Sequence, residues 1–139
     1  MVNFEFASAT RIAFGRGKVV EVPAALEAER VRRALLATNL PGASVEKVRE
    51  ALAAAGTAVV VFAVGGEPTV DLVQAGRQLC RQEECAAVIG LGGGSAIDTA
   101  KAVAALATNS GDILDYLEVV GRGRPLTHRP LPLIAIPTT

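Results

Sequence analysis

Tryptophan is absent from these 139 residues, and four Phe and one Tyr are the remaining aromatics. Single-stranded nucleic acids are held by stacking bases on aromatic rings, and any polyanion is drawn by excess positive charge. Neither resource exists here, since 14 Lys and Arg balance 14 Asp and Glu, so nucleic acid is not an expected partner. Histidine occurs once, as His128 among Arg and Pro, and one His without clustered Cys or carboxylates predicts no metal site within the chain. Cysteine occurs twice. Cys80, at helical spacing from Val73 and Gly76, reads as a small core hydrophobe, and Cys85 follows among Glu83, Glu84 and Arg81. No apolar run approaches membrane-spanning length and the N-terminus lacks the basic-then-apolar order of a signal peptide. The expectation is a cytoplasmic protein with no membrane partner.

Half of the residues are hydrophobic, enough for one domain with a real core. Ala34 to Ala37, Val59 to Phe62, Ala86 to Leu91 and Leu133 to Ile136 are continuous apolar runs of strand length, as parallel strands covered on both faces require. Helical stretches lie between them. Val19, Val22 and Leu26 are helically spaced, with Pro23 tolerable in a first turn. Ser44 is placed to cap a helix carrying Val45, Val48, Leu52 and Ala55, which Gly56 ends; Thr69 is placed to cap one carrying Leu72, Val73, Gly76, Leu79 and Cys80. A third, from Ala96 to Thr108, is apolar enough to be central and buried on most sides. Asn3 to Ala7 and Arg11 to Phe14 read as an N-terminal β-hairpin. Asp112 to Leu117 reads as a helical turn, and Gly121 to Pro125, with its Arg residues, as a mobile, solvated excursion. The fold class is α/β, a Rossmann-like parallel sheet with helices on both faces and an N-terminal β-hairpin, over residues 1–139.

The chain is organised around Val88 to Lys101, read as a buried strand, a glycine turn and a helix start. Gly92, Gly93 and Gly94 admit unusual backbone angles and let a ligand reach main-chain N–H groups without a Cβ in the way. Ser95 fits an N-cap, with Asp98 as a variant of the capping box. A helix start offers unpaired donors and a positive dipole end, so its natural guest is a phosphate or pyrophosphate. Lys101 stands too far into the helix for a phosphate-loop lysine, and Asp112 follows no apolar strand, so the usual acidic partner of a dinucleotide fingerprint is missing. Strand ends at Thr38-Asn39, Ala63 to Thr69, Gly92 to Ser95 and Pro137 to Thr139 all reach one edge, where such sheets bind ligands.

Four stretches, Phe14-Gly-Arg-Gly17, Glu67-Pro-Thr-Val-Asp-Leu-Val73, Gly92-Gly-Gly-Ser-Ala-Ile-Asp-Thr-Ala-Lys101 and Leu133-Ile-Ala-Ile-Pro-Thr-Thr139, resemble in order and spacing the amino-terminal domain of the iron-containing, or group III, alcohol dehydrogenases. The resemblance implies an oxidoreductase that uses NAD or NADP to interconvert an alcohol and an aldehyde or ketone. It implies a pyrophosphate held by Gly92, Gly93, Gly94 and Ser95, nucleotide contacts from Thr138 and Thr139, and Asp98 towards the nicotinamide. Helix capping or an i,i+3 pair with Lys101 is equally compatible with Asp98. Asn39 stands where many members carry an Asp that meets the adenine ribose, which implies weaker discrimination against NADP, and Glu67 stands where the family often has Asn. The family's Fe²⁺, or a similar divalent ion, is bound by a helical C-terminal domain that this chain lacks, so a fragment inactive by itself and a small alcohol or carbonyl substrate for the intact homodimer are expected. A stand-alone nucleotide-binding or sensor module, and a maleylacetate reductase-like enzyme domain, are the alternatives.

Overall fold

The computed structural model describes residues 11–138. After a 3-10 turn at Lys18–Glu21, helix α1 (Val22–Ala28) leads to strand β1 (Arg33–Thr38), α2 (Gly42–Ala54), β2 (Ala58–Ala63), α3 (Val70–Gln82), β3 (Ala87–Gly92), α4 (Gly94–Ala107), a second 3-10 turn at Ile113–Asp115, and β4 (Leu133–Pro137). The four strands form one sheet in the order β2-β1-β3-β4, and every pairing is parallel. The chain winds outward from β1 to β2, then crosses back over β1 to β3. Helices therefore fall on opposite faces, and the connections diverge between β1 and β3.

Each face has its own core. Leu35, Ala37 and Val88 meet Val73 and Cys80 of α3 and Val103 of α4; Leu36 and Ile89 meet Leu26 of α1 with Val45 and Leu52 of α2. Strand β3 is buried throughout and β1 from Ala34 onward, which is why both read as unbroken apolar runs. Each fully buried Leu or Ile contributes roughly 1.5–3 kcal/mol. Gly90 sets how closely α4 rides on β3: a Cβ there would lie 2.9 Å from Ala100 Cβ and 3.1 Å from Ile97 Cα.

Helix boundaries follow the expected residues in part. Thr69 caps α3, its hydroxyl accepting from Leu72 N at 3.1 Å, and Pro23 sits in the first turn of α1. Ser44 is not a cap: α2 starts at Gly42 behind Pro41, whose ring fixes the φ of −61° from which the helix is entered. Helices α1, α2 and α3 all end in a Schellman motif, in which the N–H of the second residue past the cap returns to a carbonyl five residues back. These bonds are Val31 N to Leu26 O, Thr57 N to Leu52 O and Cys85 N to Cys80 O, each 2.9 Å. The left-handed residue in each is Arg30, Gly56 and Glu84 respectively.

Two expectations are corrected. Arg11 to Phe14 carries no regular secondary structure, because alternation without a paired ladder does not make a strand; the arm Asn3 to Ala7 lies outside the described residues. Gly121 to Pro125 is not a free excursion. Arg122 N donates to Leu114 O at 2.9 Å, Gly123 N to Leu117 O at 2.9 Å and Arg124 N to Asp115 O at 2.8 Å, while Arg122 Nη1 reaches Asp115 Oδ1 at 2.6 Å.

Partial burial alone would raise the Asp115 pKa, but hydrogen bonds from Arg122 and the Asp112 backbone, with the nearby Arg124 charge, hold it below its ordinary value. A depressed carboxyl stabilises at pH above its unfolded value and loses that contribution as pH falls through the folded one. The segment therefore stays anchored at neutral pH. Replacing Asp115 by Asn removes the charge, and tryptic cleavage after Arg122 at neutral pH should accelerate several-fold; unchanged cleavage would contradict the anchor.

Candidate functional site

The divergence between β1 and β3 places Asn39 beside the glycine turn. Thr38 pairs with Leu91 in the ladder, so Asn39, the first residue past β1, lies beside Gly92, which ends β3 still paired with Pro137 of β4. The Thr38 hydroxyl accepts from Leu40 N at 3.1 Å, bending the chain as it leaves β1. The Asn39 amide then bridges the gap: Oδ1 accepts from Gly93 N at 3.2 Å, and Nδ2 donates to Ser95 Oγ at 3.2 Å. From the other side, Thr138 N donates to Gly92 O at 3.1 Å.

The three glycines do different work. Gly92 has φ 137°, and a Cβ on it would lie 2.0 Å from Asn39 Oδ1, so turn and amide exclude any side chain. Gly93 is the N-cap of α4, extended at φ −80° and ψ −175°. Gly94 opens the helix and faces free space, with nothing within 4 Å of a Cβ built on it.

This corrects the expected cap. Ser95 is the second residue of α4 and its hydroxyl is turned to Asn39, so Asp98 cannot complete a capping box. A glycine N-cap has no side chain to spend on the first-turn N–H groups, and Asn39 takes the one on Gly93 alone. The N–H groups of Gly94, Ser95 and Ala96 precede the first residue that an intrahelical acceptor can serve. They lie together at the positive end of the α4 dipole. Asp98 is exposed and lies 3.4 Å from Lys101 Nζ, an i,i+3 surface pair of small energetic value.

The structure thus brings Asn39, Gly92, Gly93, Ser95 and Thr138 into one hydrogen-bonded group, with Gly94 on its open side and Asp98 one turn along α4. Thr139 lies outside the described residues. An apolar cavity of about 350 Å³ opens elsewhere, between the start of α3, Ala102 to Leu106 and the Ile113 to Leu126 segment. None of Asn39, Gly92, Gly93, Gly94, Ser95, Asp98 and Thr138 lines it.

Sequence reasoning misses the polar staple behind α4. Arg77 is buried, and its guanidinium donates to Asn109 O at 2.6 Å and Gly111 O at 2.7 Å. Burial and the like charge of Arg81 push its pKa down, though a guanidinium stays protonated. Asn109, fully buried, accepts from Thr127 N and His128 N at 2.9 Å each and donates to Ala105 O at 2.8 Å. A polar residue at the foot of so apolar a helix was the available signal.

A protein-family description, iron-containing alcohol dehydrogenase, matches residues 9–139. The chain belongs to that family. Among its relatives in the family, the choline dehydrogenase of Bacillus subtilis is 40% identical over 96% of this chain and 34% of its own length. The NAD-dependent methanol dehydrogenase of Bacillus methanolicus is 36% identical over 100% of this chain and 36% of its own. The solved sulfoacetaldehyde reductase of Bifidobacterium kashiwanohense, in complex with NAD⁺, superposes with a TM-score of 0.84 at 29% identity, over 100% of this chain and 37% of the other. The chain therefore spans about a third of the length of these iron-containing dehydrogenase relatives, and its Rossmann-like sheet is the family's fold.

Within that fold the two glycines beside Asn39 should respond oppositely to a methyl group. Gly92→Ala adds a clash and a left-handed strain, and should cost about 2–4 kcal/mol. Gly94→Ala, at a helical position in open space, should be neutral or stabilising by up to about 1 kcal/mol. Denaturant midpoints of the two variants check this, and similar midpoints would contradict the geometry.

Proposed function

We propose that this chain is the cofactor-binding part of a nicotinamide-dependent, metal-assisted alcohol dehydrogenase, with the α4 start as its pyrophosphate site. The observation that carries the reading is the pairing of a glycine N-cap with free first-turn N–H groups and an unobstructed Gly94. Gly94 N and Ser95 N would meet the pyrophosphate oxygens, and a Cβ on Gly94 would fill the space they occupy. Thr138, tied to Gly92 by its backbone, would border the nucleotide from β4, as would Thr139 beyond it. Asn39 would lie towards the adenosine ribose, where its amide keeps an acceptor but carries no charge to repel a 2′-phosphate. NAD and NADP are thus both candidate cofactors. When bound, such a cofactor supplies hydride exchange at its nicotinamide; the residues here hold and orient it.

Among the described residues no group of three or more His, Cys, Asp or Glu side chains comes together as a metal site. The residues present do not fit the iron of the family name. The remainder of the intact protein would supply Fe²⁺ or a similar divalent ion, together with most of the substrate pocket, and this chain alone would lack turnover. Relatives named for choline, methanol and sulfoacetaldehyde support a small alcohol or carbonyl substrate.

Calorimetric titration with NADH and NADPH tests the reading. Saturable NADH binding should fall at least tenfold in Gly94→Val while the thermal midpoint holds. Asn39→Asp should keep or tighten NADH binding and lose NADPH. NADH binding undisturbed by Gly94→Val would overturn the site, and an unchanged preference in Asn39→Asp would overturn the role of Asn39.

A further inference from the structure

Three helices of this fold end in the same Schellman motif, and in each the residues joined by its long backbone bond are buried. In α1 the pair is Leu26 and Val31, and in α2 it is Leu52 and Thr57. In α3 it is Cys80 and Cys85, both free thiols, 1% and 8% exposed. Their backbones are tied by the Cys85 N to Cys80 O bond of 2.9 Å. The motif thus ties two thiol-bearing residues together within one buried core cluster, where the other helices hold no thiol.

We infer that Cys80 and Cys85 form a dithiol site for reversible oxidation to an intramolecular disulfide, with a hydroperoxide as the oxidant. The two sulfurs differ in readiness. A hydrogen bond from Cys80, with the Arg33 charge adding to it, lowers the Cys85 pKa against the opposing effects of burial and Glu83. The same hydrogen bond and burial push the Cys80 thiol up. Arg33 is fixed at this helix end by its 2.8 Å bond to Glu83 O. Cys85 is therefore the attacking sulfur and Cys80 the resolving one.

In the first step the Cys85 thiolate attacks the peroxide oxygen. The O–O bond breaks, Cys85 becomes a sulfenic acid, and the departing hydroxide or alkoxide takes up a proton. In the second, Cys80 sulfur attacks Cys85 sulfur, the S–O bond breaks, and the hydroxyl leaves as water with the Cys80 proton. The two thiols lose two electrons and the hydroperoxide gains them.

The test uses the intact protein that carries this chain, treated with hydrogen peroxide, quenched, alkylated under denaturing conditions and digested with trypsin. Cleavage after Arg81 separates the two cysteines, so a disulfide joins the peptides Gln78 to Arg81 and Gln82 to Lys101. We expect that cross-linked pair, lighter by two hydrogens (about 2 Da) than its reduced peptides, and its return to free thiols with dithiothreitol. Cys80→Ala should leave a sulfenic acid on Cys85 that dimedone traps, and Cys85→Ala should leave Cys80 unmodified. Two alkylated cysteines after peroxide in the wild-type protein would overturn the inference, as would sulfinic acid on either residue with no cross-link. The wild-type result decides the matter whether or not the variants fold.

Discussion

The carboxamide of Asn39 spans the gap that the topology leaves between β1 and β3, and the geometry of the glycine turn depends on it. Its oxygen satisfies Gly93 N and its nitrogen reaches Ser95, so the first residues of α4 are tied to the end of another strand. Gly92 must then be left-handed and bare, because a side chain would occupy the place of the amide. Gly90 must also be bare so that α4 can lie against β3. These constraints leave the helix N-terminus facing outward with its donors unspent, which is the property an anionic ligand needs.

The sheet was legible in the sequence because both central strands are buried on both faces, and burial writes itself as unbroken apolar runs. The glycine turn was legible for a different reason: three successive glycines have few other uses after a strand. What was not legible depended on partners distant in sequence. Ser95 looks like a cap when it is read beside Asp98, but its hydroxyl is engaged by a residue 56 positions away. Arg30 and Glu84 end their helices in the left-handed region without the glycine that would have announced it. The Gly121 to Pro125 segment has the composition of a loose loop, and it is fixed by backbone bonds to Leu114, Asp115 and Leu117.

The segment between α4 and β4 is held by buried polar groups rather than by apolar contact alone. Arg77, Arg81 and Asn109 saturate the carbonyls at the foot of α4 and at the start of this segment. Because Arg77 and Asn109 are buried, losing one partner leaves others unsatisfied, and such networks fix a single chain path. That path delivers β4, and with it Thr138, to the edge where the glycine turn opens.

The most direct test of the central claim is to record backbone amide shifts in ¹⁵N-labelled protein during titration with NADH. The account predicts that the largest changes fall on Gly93, Gly94, Ser95 and Ala96, with smaller ones at Asn39 and Thr138. Changes centred instead on the apolar cavity near Val73, Leu106 and Tyr116, with the glycine-turn amides unmoved, would contradict it.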